Sequence, residues 1–263
     1  MPFTPSHALV ALPFVRTPLV PAAIAIGAMT PDLPLFVRGT ALDYGFTHTY
    51  ANVLWTALAA FALFLVWRVV LRPAVPELSP RWLAARLPAD WRSGGMSALR
   101  MAVTGGSRLY PLMLAVSLVL GVLSHILWDS FTHEGRWGVT AVPALEESWG
   151  PLLGYKWLQH GSSAIGLTII GVWAIVRVLR ATPAARTEQT LPAGVRIAWW
   201  LSLPSILLTS WLLGLAAYGP LTGDFTVAHL GYRMLPPACA VWGGLTLVLC
   251  LSLPLFRRNH QRG

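Results

Sequence analysis

Five stretches of this chain are apolar over a length that crosses a bilayer as helix, which takes about 20 residues. They are 50–71 (YANVLWTALAAFALFLVWRVVL), 111–132 (PLMLAVSLVLGVLSHILWDSFT), 162–180, 197–217 and 237–256. The pattern predicts an all-α fold: a polytopic helical membrane protein, read as a single integral membrane domain over 1–263. The first 30 residues behave differently. HALVALPFV and PLVPAAIAIGAM are apolar, but Pro13, Arg16, Pro18 and Pro21 interrupt the run. Each half is about 10 residues, or roughly 15 Å as helix, too short to span alone. As a single span they would bury Arg16 at mid-depth, which costs about 2.5–3.5 kcal/mol on insertion scales. Two short helices in a hairpin, turning at Arg16-Thr17-Pro18, are expected instead, with Thr4 and Ser6 as cap residues beside Pro5. Residues 1–49 then form this hairpin and the loop that follows it. A hairpin returns the chain to its starting side, so His7 and Asp32 are expected together.

One polar pattern stands out inside the apolar runs. HILWDSFTH places His125, Asp129 and His133 at i, i+4 and i+8. On a helix of 3.6 residues per turn, this spacing draws one narrow stripe. A carboxylate or imidazole in hydrocarbon is costly unless something compensates it.

Composition agrees with a membrane protein: 55% of the 263 residues are hydrophobic and 11% charged, against roughly 25% charged in soluble domains. Thirteen Trp and 21 Pro fit too, since Trp gathers at bilayer interfaces and Pro is tolerated in membrane helices. The net charge of +9 is read as topology rather than nucleic-acid binding. Arg68, Arg72, Arg81, Arg86, Arg92, Arg100 and Arg108 crowd one connection. Arg177, Arg180, Arg186 and Arg196 lie in another, and Arg257, Arg258 and Arg262 in the tail. The alternate connections hold only Arg38, Arg136, Lys156 and Arg233. The basic side is cytoplasmic by the usual rule. This gives a multi-pass inner-membrane protein with a cytoplasmic C-terminus and outward-facing loops 29–49, 133–161 and 218–236. Segment 73–110, Pro- and Arg-rich with interleaved Trp, reads as a basic amphipathic stretch on anionic lipid. MPFTPSHALV has no basic n-region and no small-residue cleavage site, so the N-terminus is expected to be retained. Cys239 and Cys250, roughly 16 Å apart on a helix, are too distant to bridge.

On that topology His7, Asp32, His48 and His160 reach the same face as the stripe, which gathers five of the seven histidines there. His229 is a weaker addition and His260 belongs to the basic tail. Imidazole and carboxylate together suit Zn, Mn or Fe, and a divalent cation supplies the missing positive charge. His7, Asp32, His48, His125, Asp129, His133 and His160 are therefore the candidate ligands. Arg38 and Arg136 are candidate phosphate clamps or partners of acidic groups. Glu134, Glu146 and Glu147 read as solvated loop charges, and Trp128, Trp137, Trp149 and Trp157 as an interfacial belt.

These residues resemble a known pattern. His7, Pro31-Asp32, Thr47-His48, then His125, Asp129, Thr132 and Gly135, resemble the bacterial membrane-bound metal-dependent hydrolases. MPFTPSHA, GAMTPDLP and WDSFTHEGRWG look closer still to an uncharacterised family of multi-span bacterial membrane proteins. The spacing of His125 and Asp129 is also distantly similar to part of the ligand set of zinc-dependent phospholipase C. Two departures matter. Pro34 stands where the hydrolases often carry a second acidic residue, and no His-Arg precedes Thr47-His48. One bridging ligand is thus missing, unless His133 or His160 replaces it.

The resemblance and the ligand set together imply metal-dependent hydrolysis of a phosphoester or lipid at the membrane surface, with Asp32 or a loop Glu as candidate base and Arg38 or Arg136 as clamp. The competing expectation is a non-enzymatic metal-binding protein for transport, sensing or assembly. Transport would need a polar path, yet AAFALFLVW, LMLAVSLVLGV and LTIIGVWAIV are uniformly apolar. Membrane lipid is the expected partner and nucleic acid is not. GLTIIG at 166–171 allows close helix packing within or between chains, and the sequence fixes no oligomer.

Overall fold

A computed structural model describes residues 3–40, 42–185 and 189–260. Arg186 and Arg262 of the arginine count lie outside the described residues, as do Met1 and Pro2 of the opening motif and the side chains of Arg257, Arg258 and His260. The main helices are α1 (Pro21–Met29), α2 (Val53–Val66), α3 (Arg72–Leu78), α4 (Tyr110–Thr132), α5 (Gly154–Arg180), α6 (Ala193–Tyr218) and α7 (Val227–His260). The one sheet among the described residues is a two-stranded antiparallel hairpin, β1 (Ser148–Trp149) with β2 (Leu152–Leu153). Five helical stretches have the length and apolar content of membrane spans: Tyr50–Leu78, Tyr110–Thr132, Gly154–Arg180, Ala193–Tyr218 and Val227–Pro254. Large apolar side chains such as Leu54, Trp55, Ile165, Leu179 and Leu208 lie exposed on them, as lipid-facing surfaces require. The chain is an all-α polytopic membrane protein.

Two of the helices start eight or more residues before hydropathy alone indicates. The third span begins at Gly154 rather than 162, and the fifth at Val227 rather than 237. Hydropathy marks where lipid contact begins, whereas the helical ladder runs on into polar residues. Pro236 and Pro237 lie inside α7, as membrane helices tolerate. Cys239 and Cys250, both on α7, are unbridged.

The contacts group into two compact units. The first comprises Met1–Leu33, Asp43–Val66 and Leu99–Arg180. Its opening hairpin is present, but its first arm, Thr4–Phe14, is a 3-10 helix rather than an α-helix. Phe3 occupies the cap position and no side chain caps it, so Thr4 and Ser6 are not caps. The second arm, α1, starts with Pro21, which has no N–H to lose. The N–H of Val20 is taken by Ser117 Oγ of α4 at 2.9 Å.

α1 lies against α4 at backbone contact. A Cβ built on Gly121 would overlap Ile24 O and meet the Ala28 nitrogen at 2.8 Å; one on Gly27 would meet Leu118 O at 2.5 Å. Only glycine fits at either position, as in other close membrane-helix crossings. Around the crossing, Ala23, Ala57, Ala60, Phe64, Leu118 and Val122 form the buried core of this unit.

The second unit comprises Pro34–Leu42, Trp67–Ala98 and Ala181–Gly263. Ala74, Leu78, Leu191, Cys250 and Leu253 form its core. A buried polar latch ties α3 to the lead-in of α6. Glu77 Oε2 accepts the backbone N–H groups of Thr190 (2.8 Å) and Leu191 (3.3 Å). Gln189 Nε2 donates to the carbonyls of Pro76 and Ser79. Arg72 donates to Asp90 Oδ2 at 3.1 Å.

The glycine crossing predicts a sharp contrast between two substitutions. Gly121→Leu should lower stability by about 1–3 kcal/mol or more, the cost of overpacking. Gly171→Ala, where a Cβ meets nothing within 4 Å, should be neutral or slightly stabilising. Thermal unfolding of both variants in detergent micelles checks this; equal melting temperatures would remove the crossing as a constraint.

Candidate metal centre

Ser117, Gly121, His125 and Asp129 recur every fourth residue along α4 and are all buried. Each step advances the helix by about 400°, so the four form one stripe, and the stripe faces α1. Because Gly121 admits the α1 backbone, His125, one turn further on, meets the end of α1, and its Nδ1 donates to Ala28 O at 2.7 Å. α1 runs directly into a 3-10 turn, Thr30–Asp32, which brings in the Asp32 carboxylate. Thr47 Oγ1 donates to Pro31 O at 2.7 Å and ties the next segment to that turn. There Asp43 caps the short helix Tyr44–Thr47 by accepting the Phe46 N–H at 2.8 Å. His48 follows, with Nδ1 donating to Tyr44 O at 3.0 Å.

The opening 3-10 helix completes the ring. Its period of three aligns Thr4 with His7 on one edge. Thr4 Oγ1 donates to Asp32 Oδ2 at 2.6 Å, and His7 Nε2 lies 3.6 Å from Asp129 Oδ1. The His7 ring stacks on that of His125, with centroids 4.0 Å apart.

Asp32, His48, His125 and Asp129 each present one donor atom, all within 4.8 Å of one another. The separations are 3.1 Å between His48 Nε2 and His125 Nε2, 3.7 Å from each of these to Asp32 Oδ1, and 3.6 and 3.4 Å from them to Asp129 Oδ2. A tetrahedron with metal–ligand bonds of about 2.1 Å has edges of roughly 3.4 Å.

The hydrogen bonds fix which imidazole nitrogens are free. A carbonyl can only accept, so the bonds to Tyr44 O and Ala28 O place a proton on each Nδ1. Both Nε2 atoms then carry lone pairs, and these face each other beside two carboxylates. Such carbonyl-anchored imidazoles are the usual metal-ligating arrangement. Among the described residues no Lys or Arg pairs with either carboxylate, and Asp32 Oδ1, Asp129 Oδ1, Asp129 Oδ2 and His7 Nε2 are buried with no hydrogen-bond partner. Asp32 and His125 are each 1% exposed. Burial pushes the Asp32 carboxyl above its usual range, as expected of a carboxylate without a fixed cation. Burial also holds His7 down at about 3 and His133 at about 4, so both rings are neutral at pH 7. The donor chemistry and the orphaned atoms fit a divalent cation, whose charge balances two buried carboxylates.

Every one of these donors lies in a stretch that matches a single family profile. It is described as Domain of unknown function (DUF4184) and covers residues 1–250. The chain belongs to that family. No curated protein and no solved structure matches it, and neither the hydrolase nor the phospholipase C likeness is shown by the comparisons.

The other candidates of this DUF4184 chain fall outside the four-donor group. His133 leaves the stripe because α4 ends at Thr132 and its own backbone is extended, φ −128° and ψ 135°. It sits at the rim, with Nδ1 3.2 Å from Asp129 O and 3.5 Å from Asp129 Oδ2. His160 is exposed on α5. Since the helix already starts at Gly154, the inward position is its neighbour Gln159, 1% exposed, with Nε2 3.4 Å from His133 Nε2. Neither histidine is among the four residues whose donor atoms all lie within 4.8 Å of one another.

Arg38 belongs to the second unit, its guanidinium 3.9 Å from the Tyr232 ring centroid. Arg136 precedes the short helix Trp137–Ala141 at its cap position. Glu134 accepts from the Tyr155 hydroxyl at 3.2 Å. His229 accepts the Thr226 N–H at its own helix start. Sequence reasoning missed Thr4 and Thr47 as positioning hydroxyls and Gln159 as the buried rim amide. The i, i+3 spacing of Thr4 and His7 was the available signal for the first.

Thr4→Val removes the one donor to Asp32 Oδ2 among the described residues while keeping the side chain's shape. A loss of about 1–3 kcal/mol is expected, the cost of an unsatisfied buried acceptor. Thr49→Val, at an exposed hydroxyl bonded within its own turn, should change little. Denaturant unfolding of both variants gives the comparison, and equal effects would show that Thr4 does not hold Asp32.

Proposed function

We propose that Asp32, His48, His125 and Asp129 hold one divalent cation of the Zn, Mn or Fe class, and that the protein is a membrane-embedded metal-dependent hydrolase of an ester or phosphoester. The observation that carries this reading is the convergence of two Nε2 atoms and two carboxylates at 3.1–3.7 Å with no Lys or Arg among them in the described residues. When bound, such an ion supplies Lewis acidity and a water of lowered pKa. The chain's own residues do the rest. Ala28 O and Tyr44 O hold the two imidazoles in the ligating tautomer, and Thr4 orients Asp32. His7, neutral and with Nε2 free of hydrogen bonds, accepts the hydrogen bond of the attacking water. Arg38, engaged on Tyr232, is not used as a clamp in this scheme.

Burial of all four donors favours a second reading, a closed structural metal site in a non-enzymatic protein, since catalytic sites keep an open position. One set of measurements divides the two. The purified protein, reconstituted with Zn²⁺ or Mn²⁺ and dialysed, should retain about one ion per chain, as a tetrahedral four-donor site holds. His125→Ala and Asp129→Ala should lose it and His160→Ala should keep it. Against a panel of phosphoesters and carboxyl esters in mixed micelles, His7→Ala should cost roughly 10²-fold or more in turnover while still binding the ion. Bound ion without turnover across the panel would establish the structural site instead, and no retained ion would overturn both.

A further inference from the structure

A cavity of about 700 Å³ borders the centre, between the opening 3-10 helix, α4 and α5. That volume is in the range of small-molecule sites, roughly 300–1,000 Å³. Its walls are mostly apolar, with Leu9, Val10, Leu127, Leu158 and Ile165 among them, and His7 is part of the lining. Two of the three serines of the wall are already committed: Ser124 Oγ donates to Gly121 O at 2.7 Å, and Ser162 Oγ accepts from Trp128 Nε1 at 3.2 Å. They leave little for a polar ligand along the groove. Leu127 and Ile165 are 49% and 61% exposed on two membrane spans. The cavity therefore borders side chains that are exposed on two spans. At His7 the character reverses. Its Nε2 is buried without a hydrogen-bond partner, 3.6 Å from Asp129 Oδ1. An occupant that satisfies both ends is an amphiphile with one long apolar tail.

We infer that this groove seats one acyl chain of a membrane lipid, with the polar end of that chain beside His7, so that the substrate class of the centre is a lipid entering sideways from the bilayer. The inference rests on the metal-hydrolase reading and names its substrate. Gly161 provides the means of testing it. It lines the cavity, and a Cβ there meets nothing within 4 Å. Gly161→Phe therefore fills the groove without displacing backbone, while Gly161→Ala leaves it open.

The full chain, loaded with Zn²⁺ or Mn²⁺, is reconstituted in nanodiscs containing a phospholipid with a photoactivatable diazirine at its acyl terminus. Cross-linked residues are located by mass spectrometry. Labels are expected on the groove walls, at Leu9, Val10 or Leu158, in wild type and Gly161→Ala. In Gly161→Phe they should fall about tenfold, equivalent to ~1.4 kcal/mol of lost seating, while labels on the outer face of α6 are unchanged. Bound metal, measured on the same samples, should be equal in all three. Groove labels that persist in Gly161→Phe, or that are no denser than those on α6, overturn the acyl-chain assignment even with metal fully bound. Metal absent from the wild type overturns the underlying reading instead.

Discussion

The backbone contact between α1 and α4 is the constraint on which the centre depends. Two helices in a bilayer gain no hydrophobic energy by touching each other rather than lipid, so close approach and polar contacts must hold them. Gly27 and Gly121 permit that approach, since a Cβ on either would overlap the facing backbone. The consequence lies one turn away. Only at this distance does the Ala28 carbonyl reach His125 Nδ1, and only from the end of α1 does the Thr30–Asp32 turn deliver its carboxylate to the same point. A bulkier residue at position 121 would separate His125 from Asp32 without altering either.

Charge sets the second requirement. Two carboxylates and two imidazoles share a buried space, and burial of such groups without compensation is strongly unfavourable. In the second unit the buried guanidinium of Arg72 has a carboxylate partner, the exposed Asp90. Here the neighbours are threonine hydroxyls, backbone carbonyls and two further imidazoles, those of His7 and His133. They orient the donors without neutralising them. A cation is the simplest species that satisfies every lone pair at once.

Much of this was legible from residue spacing. The five apolar runs and the proline-broken opening specify the helical membrane architecture, and the i, i+4 spacing of His125 and Asp129 specifies one helix face. The hairpin argument placed His7 and Asp32 together for a sound physical reason, namely that neither half of the opening is long enough to cross. The errors came from helix ends. Extending the stripe to His133 assumed that α4 continues, whereas it stops at Thr132. His160 was read as a loop residue because GYKWLQH is too polar to mark a span, yet α5 begins there and turns Gln159 inward. The 3-10 geometry of the first arm was not visible either. Its threefold period, rather than α-helical spacing, makes Thr4 and His7 neighbours.

X-ray absorption spectroscopy of the Zn²⁺- or Mn²⁺-loaded protein tests the central claim most directly, because it reads the ligand shell itself. The account predicts a shell of nitrogen and oxygen at about 2.0–2.2 Å, with the multiple-scattering signature of two imidazoles, reduced to one in His48→Ala. A sulfur shell near 2.3 Å, from Cys239 or Cys250, or a shell of water oxygens without imidazole scattering, would contradict it.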